Sequence, residues 1–159
     1  MKKVEDKAAL TEYRNALMRF LTEYGLVAPA ILSLARRADL VRYEPGDTIM
    51  VQGKDYSTIF FLVDGRIQIS INMQDRNEVV GERGPVTLLG EISYFNKIPA
   101  TANVHITKEG PGHVLEISYD DFSQVIHEYP LIKPTLTRIG DMRVISQKDG
   151  FSSFSFFKM

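Results

Sequence analysis

The N-terminal forty residues follow a helical pattern of hydrophobic and polar positions. From Glu5 to about Tyr24, apolar side chains recur at spacings of three and four with charged residues between them, which is typical of an amphipathic helix. Gly25 ends it. A second helix is predicted from Ala28 to Ala38, because a proline falls in its first turn. We expect its inward side chains to be Ile31, Leu32, Leu34 and Ala35.

From Asp39 onward the period of the pattern changes to two, the period of a β-strand with one buried face. The alternation is strictest at Ile67, Ile69 and Ile71. Turn residues separate short runs of this kind as far as Ser118. The first strands are marked by Val41, Tyr43, Ile49, Val51, Ile59, Phe61 and Val63, and later strands are predicted at 78–82, 86–89, 102–106 and 114–117, with a hairpin tip at 72–77.

A helical pattern returns after the last predicted strand. Ser118 is a good N-cap for a helix from Tyr119 to Glu128, and two aspartates occupy the first turn, where the helix dipole favours them. Another helix is predicted from Pro134 to about Gln147. The remaining tail, 148–159, is rich in phenylalanine and serine. It is compatible with docking on the chain's own surface or on a partner protein.

Many short strands bracketed by helices predict a mainly β fold, a jelly-roll barrel with helical flanks. The chain has 159 residues, which is room for one domain. We divide that domain into N-terminal helices (1–38), a β-roll (39–118) and C-terminal helices (119–147), followed by the tail.

Composition argues against several classes of function. The chain has no cysteine, so thiol nucleophiles and zinc–thiolate sites are excluded, and a cytoplasmic location suits it. A net charge of -1 without a basic stripe argues against nucleic acid as a partner, and no apolar run approaches the ~20 residues that span a membrane. The three histidines lack metal-ligand spacing. Since no catalytic motif is present either, we expect a protein that is not an enzyme.

The segment from Leu88 to Val104 carries the most specific chemistry. Gly90 and Glu91 follow an apolar run and open a short helical turn, after which small residues lead into the next strand. Backbone N–H groups at the start of such a turn attract an anion. An acidic residue in that place favours a ligand with a hydroxyl beside its phosphate, because carboxylates accept strong hydrogen bonds from hydroxyls.

This segment resembles the phosphate-binding cassette of the cyclic-nucleotide-binding domain family, whose pattern runs Phe-Gly-Glu, a turn, Pro-Arg and small residues. The cassette here spans Leu89–Val104. The similarity extends from about Leu32 to Gln147 and includes three turn glycines at matching separations, Gly46, Gly53 and Gly65. It implies a cyclic-nucleotide-binding jelly roll of the catabolite-activator and protein-kinase regulatory-subunit type, and therefore a regulatory domain.

The resemblance also implies a role for each cassette residue. Glu91 would bond the ribose 2′-hydroxyl, backbone N–H groups of the turn would hold the phosphate, and Thr101 stands where a threonine favours guanine. The ligand implied is a cyclic nucleotide, cyclic AMP (cAMP) or cyclic GMP (cGMP), with no other cofactor. The predicted binding residues are Leu89, Gly90, Glu91, Ile92, Ser93, Ala100, Thr101 and Ala102.

Ala100 stands where the family has an arginine that pairs with the phosphate. A charge-assisted hydrogen bond contributes about 1.5–3 kcal/mol, so its loss predicts binding that is weaker by roughly 10- to 150-fold. Lys97 is a candidate replacement as a point charge. Arg66 and Arg83 are two further candidates.

Three functions of different classes stay open. The first is a sensing module that binds a cyclic nucleotide or related phosphate ligand weakly. The second is a degenerate module that binds a protein through its C-terminal helices and tail, and a pocket filled by Tyr94 or Phe95 would favour it. The third is a transcription regulator, which we do not expect because the chain ends soon after Gln147, short of a helix-turn-helix. A homodimer is compatible with each.

Overall fold

The computed structural model describes residues 1–139, which form two antiparallel sheets flanked by helices. Residues 132–139 form the last helical stretch described. The elements before it are β1 (Lys2–Lys3), α1 (Lys7–Glu23), α2 (Ala28–Arg37), β2 (Asp39–Tyr43), β3 (Thr48–Met50), β4 (Thr58–Asp64), β5 (Ile67–Asn72), β6 (Asn77–Arg83), β7 (Thr87–Leu89), α3 (Glu91–Asn96), β8 (Asn103–Ile106), β9 (Gly112–Ser118) and α4 (Tyr119–Glu128).

The strands form a five-stranded sheet in the order β1-β2-β9-β4-β7 and a four-stranded sheet in the order β3-β8-β5-β6. The chain therefore crosses from one sheet to the other several times between β2 and β9. Such crossing between two antiparallel sheets is typical of a jelly roll. It confirms the prediction of a mainly β fold with helical flanks.

Strand β4 shows why the chain has two apolar cores. Phe61 and Val63 face the helices and pack in a cluster with Leu17, Leu34 and other helical residues. The alternate residues of β4 face the four-stranded sheet and pack in a second cluster. The strand is buried on both faces, which explains its almost continuous apolar run.

The helix boundaries follow from capping. Helix α1 begins two residues later than predicted, because the carboxylate of Asp6 accepts a hydrogen bond from the backbone N–H of Ala9 at 2.9 Å. Helix α4 confirms its predicted bounds, and the hydroxyl of Ser118 accepts from the N–H of Asp121 at 3.1 Å. The last helix begins at residue 132. Its predicted part after 139 and the Phe-rich tail lie outside the described residues.

Two of the expected apolar positions were wrong. Leu32 is 49% exposed on the outer face of α2, because Ile31 and Leu34 hold the inner face against the first core cluster. Val51 follows the end of β3 and is 43% exposed. Leu32 lies beside the correctly predicted Ile31, and Val51 lies beside Met50, a buried residue that the pattern did not mark.

The turn between β4 and β5 packs tightly against the turn that leads into β9. The predicted turn glycines Gly46, Gly53 and Gly65 have φ of 84°, 86° and 90°, as the left-handed region requires. At Gly65 a Cβ atom would lie 2.8 Å from the Cα atom of Gly112. This turn therefore requires glycine for space as well as for its backbone conformation.

A partly buried hydrogen bond joins the two neighbouring strands β2 and β9. The hydroxyl of Tyr43 donates to Oε2 of Glu116, and Tyr43 is buried. Burial raises the pKa of Glu116, although the hydrogen bond from Tyr43 opposes that rise. Burial likewise raises the pKa of Tyr43. The folded protein therefore binds a proton on Glu116 more tightly than the unfolded chain does.

We expect Glu116→Gln to flatten the pH dependence of stability. Because the pKa of Glu116 is raised on folding, its contribution is present below the ordinary carboxyl pKa and is lost as pH rises through the folded value. Glutamine stays neutral and keeps an acceptor for Tyr43. Urea unfolding at pH 4 and pH 7.5 should show E116Q at least as stable as the wild type at the higher pH. A large loss at pH 7.5 would contradict this account.

Candidate ligand-binding site

The predicted cassette begins where β7 passes into α3. Gly90 is the N-cap of α3 and has φ of 90°. A Cβ atom there would lie 3.3 Å from the backbone oxygen of Thr58, which is tighter than an ordinary van der Waals contact. Glycine thus lets the chain turn sharply beside the start of β4. The turn leads directly into α3.

A small cavity lies between the sheets beside α3. Its volume is about 30 Å³, enough for a water molecule or two, whereas small-molecule sites usually measure about 300 Å³ or more. Six of the eight predicted binding residues line it, and Glu91 and Ala100 do not. The lining residues are Met50, Ile69, Leu89, Gly90, Ile92, Ser93, Thr101, Ala102 and Val104.

The polar groups beside this cavity are largely engaged by the chain itself. The hydroxyl of Ser93 donates to the carbonyl of Pro99 at 3.1 Å. The backbone of Ala100 is held on both sides, since its N–H donates to the carbonyl of Lys54 at 3.0 Å and its carbonyl accepts from the N–H of Gly53 at 2.8 Å. These bonds tie the cassette to the loop between β3 and β4. The cavity wall is consequently mostly apolar.

Glu91 is buried in the cassette but is not part of the cavity wall. It is the first residue of α3 and only 2% exposed. Its charge reaches Tyr119 on α4, whose pKa is raised mainly by burial and further by Tyr94, Asp55 and Glu91. The structure thus places the predicted ribose-binding carboxylate within electrostatic reach of α4.

Among residues 1–139, no lysine or arginine lines the cavity. Lys97 lines a different concavity, on the side of α3 that faces α4. Arg66 forms an ion pair with Glu82 at 3.2 Å, and Arg83 donates to the carbonyl of Glu82 at 2.7 Å. None of the three candidate cations therefore replaces the family's arginine in the cavity wall.

Tyr94 and Phe95 do not fill the cavity. Their rings pack with the first core cluster, and both lie beside Phe122 of α4. Ile92 is the residue of α3 that turns toward the second cluster, between the sheets. Tyr94 and Phe95 therefore do not provide the plugged pocket that would favour the degenerate module.

Sequence reasoning did not name three of the wall residues as binding residues, two from strands outside the cassette and one, Val104, at its end. Met50, Ile69 and Val104 belong to β3, β5 and β8. All three are buried in the second cluster. The period-two pattern marks Ile69 as an inward position, but only the strand pairing shows which inward residues meet at the cassette.

Within the described part of the chain, no group of three or more acidic, histidine or cysteine residues could hold a metal ion. The same residues include no helix that is long and apolar enough to cross a membrane.

The family whose sequence model is described as "Cyclic nucleotide-binding domain" matches residues 40–129. The chain belongs to this family. The match runs from β2 to the end of α4 and so contains the cavity and the whole cassette. It confirms the resemblance drawn from the glycine turns and the Gly-Glu motif.

Relatives of this cyclic nucleotide-binding domain include larger proteins. Acetyltransferase Pat of Mycolicibacterium smegmatis is 30% identical over 138 residues, which are 86% of this chain and 40% of that protein. Pycsar effector protein XpPycTIR of Xanthomonas perforans is 28% identical over 75% of this chain and 39% of its own length. The chain thus spans about two fifths of the length of these curated relatives.

Solved structures share the fold. A cyclic nucleotide-binding domain from Methylobacillus flagellatus superposes with a TM-score of 0.76 at 13% identity, covering 88% of this chain and 83% of that one. The regulatory domain of Toxoplasma gondii PKA with cAMP gives 0.68 at 18% identity, covering 98% and 58%. At these identities the likeness shows the fold alone.

Proposed function

We propose that this domain is a regulatory, non-enzymatic ligand sensor whose ligand enters at the cavity beside α3, and that it binds a cyclic nucleotide or related phosphate ligand weakly. The observation that carries the proposal is the meeting of six predicted binding residues around one cavity. Family membership supports the ligand class, and the Toxoplasma gondii neighbour was solved with cAMP.

Weak binding follows from the cavity's size and charge. A volume of about 30 Å³ is too small for a nucleotide, so the cassette has to move away from the sheets for one to enter. No cation among the described wall residues meets the phosphate, and an anion without a countercharge gains little from an apolar wall. Part of the binding free energy is therefore spent on opening the cassette.

The packing of α3 against α4 suggests how ligand binding in the cavity is transmitted to the rest of the protein. Tyr94 and Phe95 connect α3 to Phe122 of α4, and residues 132–139 follow α4 in the same core cluster. A ligand that displaces α3 would shift the position of α4, because a ligand favours whichever arrangement it binds better. The output of the sensor would thus leave the domain at its C-terminal helices.

The small size of the cavity favours a second candidate, a degenerate domain that binds a partner protein instead of a nucleotide. The hydrogen bonds of Ala100 to the loop after β3 hold the cassette against the sheets.

Calorimetric titration of the chain with cAMP and cGMP separates these candidates. Sensing predicts saturable heat at roughly 0.1–1 mM ligand, with cGMP the tighter ligand if Thr101 contacts guanine. Thr101→Ala should remove that preference and leave the affinity for cAMP unchanged. Linear AMP serves as the control for simple attraction to a phosphate. No heat at millimolar cyclic nucleotide would reject sensing of these ligands and favour the degenerate module.

A further inference from the structure

A second concavity lies on the side of α3 that faces α4, and neither the family nor the cassette assigns it a role. The groove measures about 540 Å³, within the range of roughly 300–1,000 Å³ that is typical of small-molecule sites. It is bounded by the loop before β4, by α3, by α4 and by the start of the last helix. Its wall consists of Asp55, Tyr56, Ser93, Tyr94, Phe95, Lys97, Ile98, Tyr119, Ser123 and Lys133.

Tyr94 is the centre of a fixed aromatic wall in this groove. Its ring is nearly perpendicular to the rings of Phe95, Tyr119 and Phe122, with centroids 5.1, 5.0 and 4.8 Å away. Its hydroxyl is hydrogen-bonded to the hydroxyl of Ser123. These contacts hold the rings in place before any ligand arrives. A preorganised aromatic surface binds a flat ring with little loss of conformational entropy.

Two lysines line the groove beside this wall, and their ammonium groups have no carboxylate partner among residues 1–139. Lys133 lies with Nζ 5.7 Å from the ring centroid of Phe95, and neither Lys133 nor Lys97 forms an ion pair with a described residue. Both side chains line the groove. An anionic group bound there would supply the countercharge that the described chain does not.

The backbone conformation of Lys97 is a separate observation that supports a role for its side chain in the groove. Lys97 caps the C-terminus of α3 with φ of 56°, and it is the one non-glycine residue of the described chain with positive φ. Glycine or asparagine usually occupies this left-handed position, since other side chains are strained there. Lys97 keeps this conformation at a position that lines the groove.

Asp55 contributes a negative charge to the wall of the groove. Its carboxylate belongs to the same wall and is one of the charges that raise the pKa of Tyr119, after burial and Tyr94. An anion near Asp55 would be repelled, whereas a hydroxyl or amine would find an acceptor. The anionic group of a ligand therefore belongs near the lysines, and a hydroxyl or amine substituent suits the neighbourhood of Asp55.

We propose that this groove binds a small, flat aromatic anion, with its ring against Tyr94, Phe95 and Tyr119 and its carboxylate, phosphate or sulfonate between Lys97 and Lys133. The site is distinct from the cavity between the sheets and goes beyond the sensing function proposed above. The two concavities share one residue, the buried Ser93 of α3.

The probe for this site is 8-anilinonaphthalene-1-sulfonate, an aromatic anion whose fluorescence rises on binding. We expect saturable binding to the full chain, and an affinity at least tenfold lower in the double variant K97Q/K133Q. The matched control K7Q/K108Q removes the same charge at two exposed lysines outside the groove and should change the affinity less than twofold. Thermal melts confirm that all variants fold.

A neutral probe of similar shape, N-phenyl-1-naphthylamine, tests the charge. It should bind the wild type more weakly than the sulfonate does and should be insensitive to K97Q/K133Q. The proposal is overturned if the sulfonate fails to saturate, if K97Q/K133Q binds it as the wild type does, or if the control variant loses as much affinity. None of these results depends on whether a cyclic nucleotide binds the cavity.

Discussion

Ala100→Arg is expected to tighten the binding of a cyclic nucleotide by roughly 10- to 150-fold, because one charge-assisted hydrogen bond contributes about 1.5–3 kcal/mol. Residue 100 is only 4% exposed and precedes Thr101, which lines the cavity. Its backbone is held by Gly53 and Lys54, so the new side chain starts from a fixed position. The guanidinium can meet a phosphate with two parallel hydrogen bonds.

The matched control is Ala100→Gln, which adds a long side chain without a charge. Calorimetry with cAMP and cGMP should show the gain for A100R alone, and thermal melts should show both variants folded. If the buried position rejects the larger guanidinium and A100R fails to fold, Ala100→Lys provides the charge in a slimmer side chain. A folded variant with the cation and no gain in affinity would contradict the cassette assignment.

Phe122→Ala is expected to cost the domain about 3–5 kcal/mol of unfolding free energy, the usual range for a buried phenylalanine. Phe122 is fully buried on α4 and belongs to the first core cluster. It also contacts Tyr94 and Phe95 of α3. Removing the phenyl ring would leave a cavity where α4, α3 and the five-stranded sheet meet.

Urea unfolding measures this loss. Phe122→Leu is the control, since it keeps most of the apolar volume and should lose less than half as much stability. The F122A variant should also bind 8-anilinonaphthalene-1-sulfonate less tightly, because Tyr94 loses one of the rings that hold it. A stability loss below about 1 kcal/mol would contradict the packing of α4 on the core.

The architecture was accessible from the sequence because each element carries a local signal. The change from a helical period to a period of two locates the boundary between α2 and β2. Ser118 fixes the start of α4 by capping it. The error at Leu32 arose because α2 has adjacent apolar residues, and periodicity alone does not choose which one faces inward. The choice depends on the core that Ile31 and Leu34 pack against.

The candidate site was only partly accessible from the sequence. The cassette motif located the residues of α3 and the start of β8, which are close in the chain. It did not show that Glu91 turns away from the cavity wall, because orientation depends on the packing of α3 against α4. Successive residues of a helix differ by about 100°, so Ile92 and Tyr94 must face different sides. The strand residues that complete the cavity, and the groove on the other side of α3, require the fold.

Helix α3 has only six residues, yet it separates two compartments and contributes Ser93 to both. A ligand that displaces α3 in one compartment would change the space in the other, since a tilt that widens one narrows the other. Two ligands that occupy them would then weaken each other's binding by the same factor, because linkage is reciprocal. The domain could in this way compare two chemical signals rather than register one.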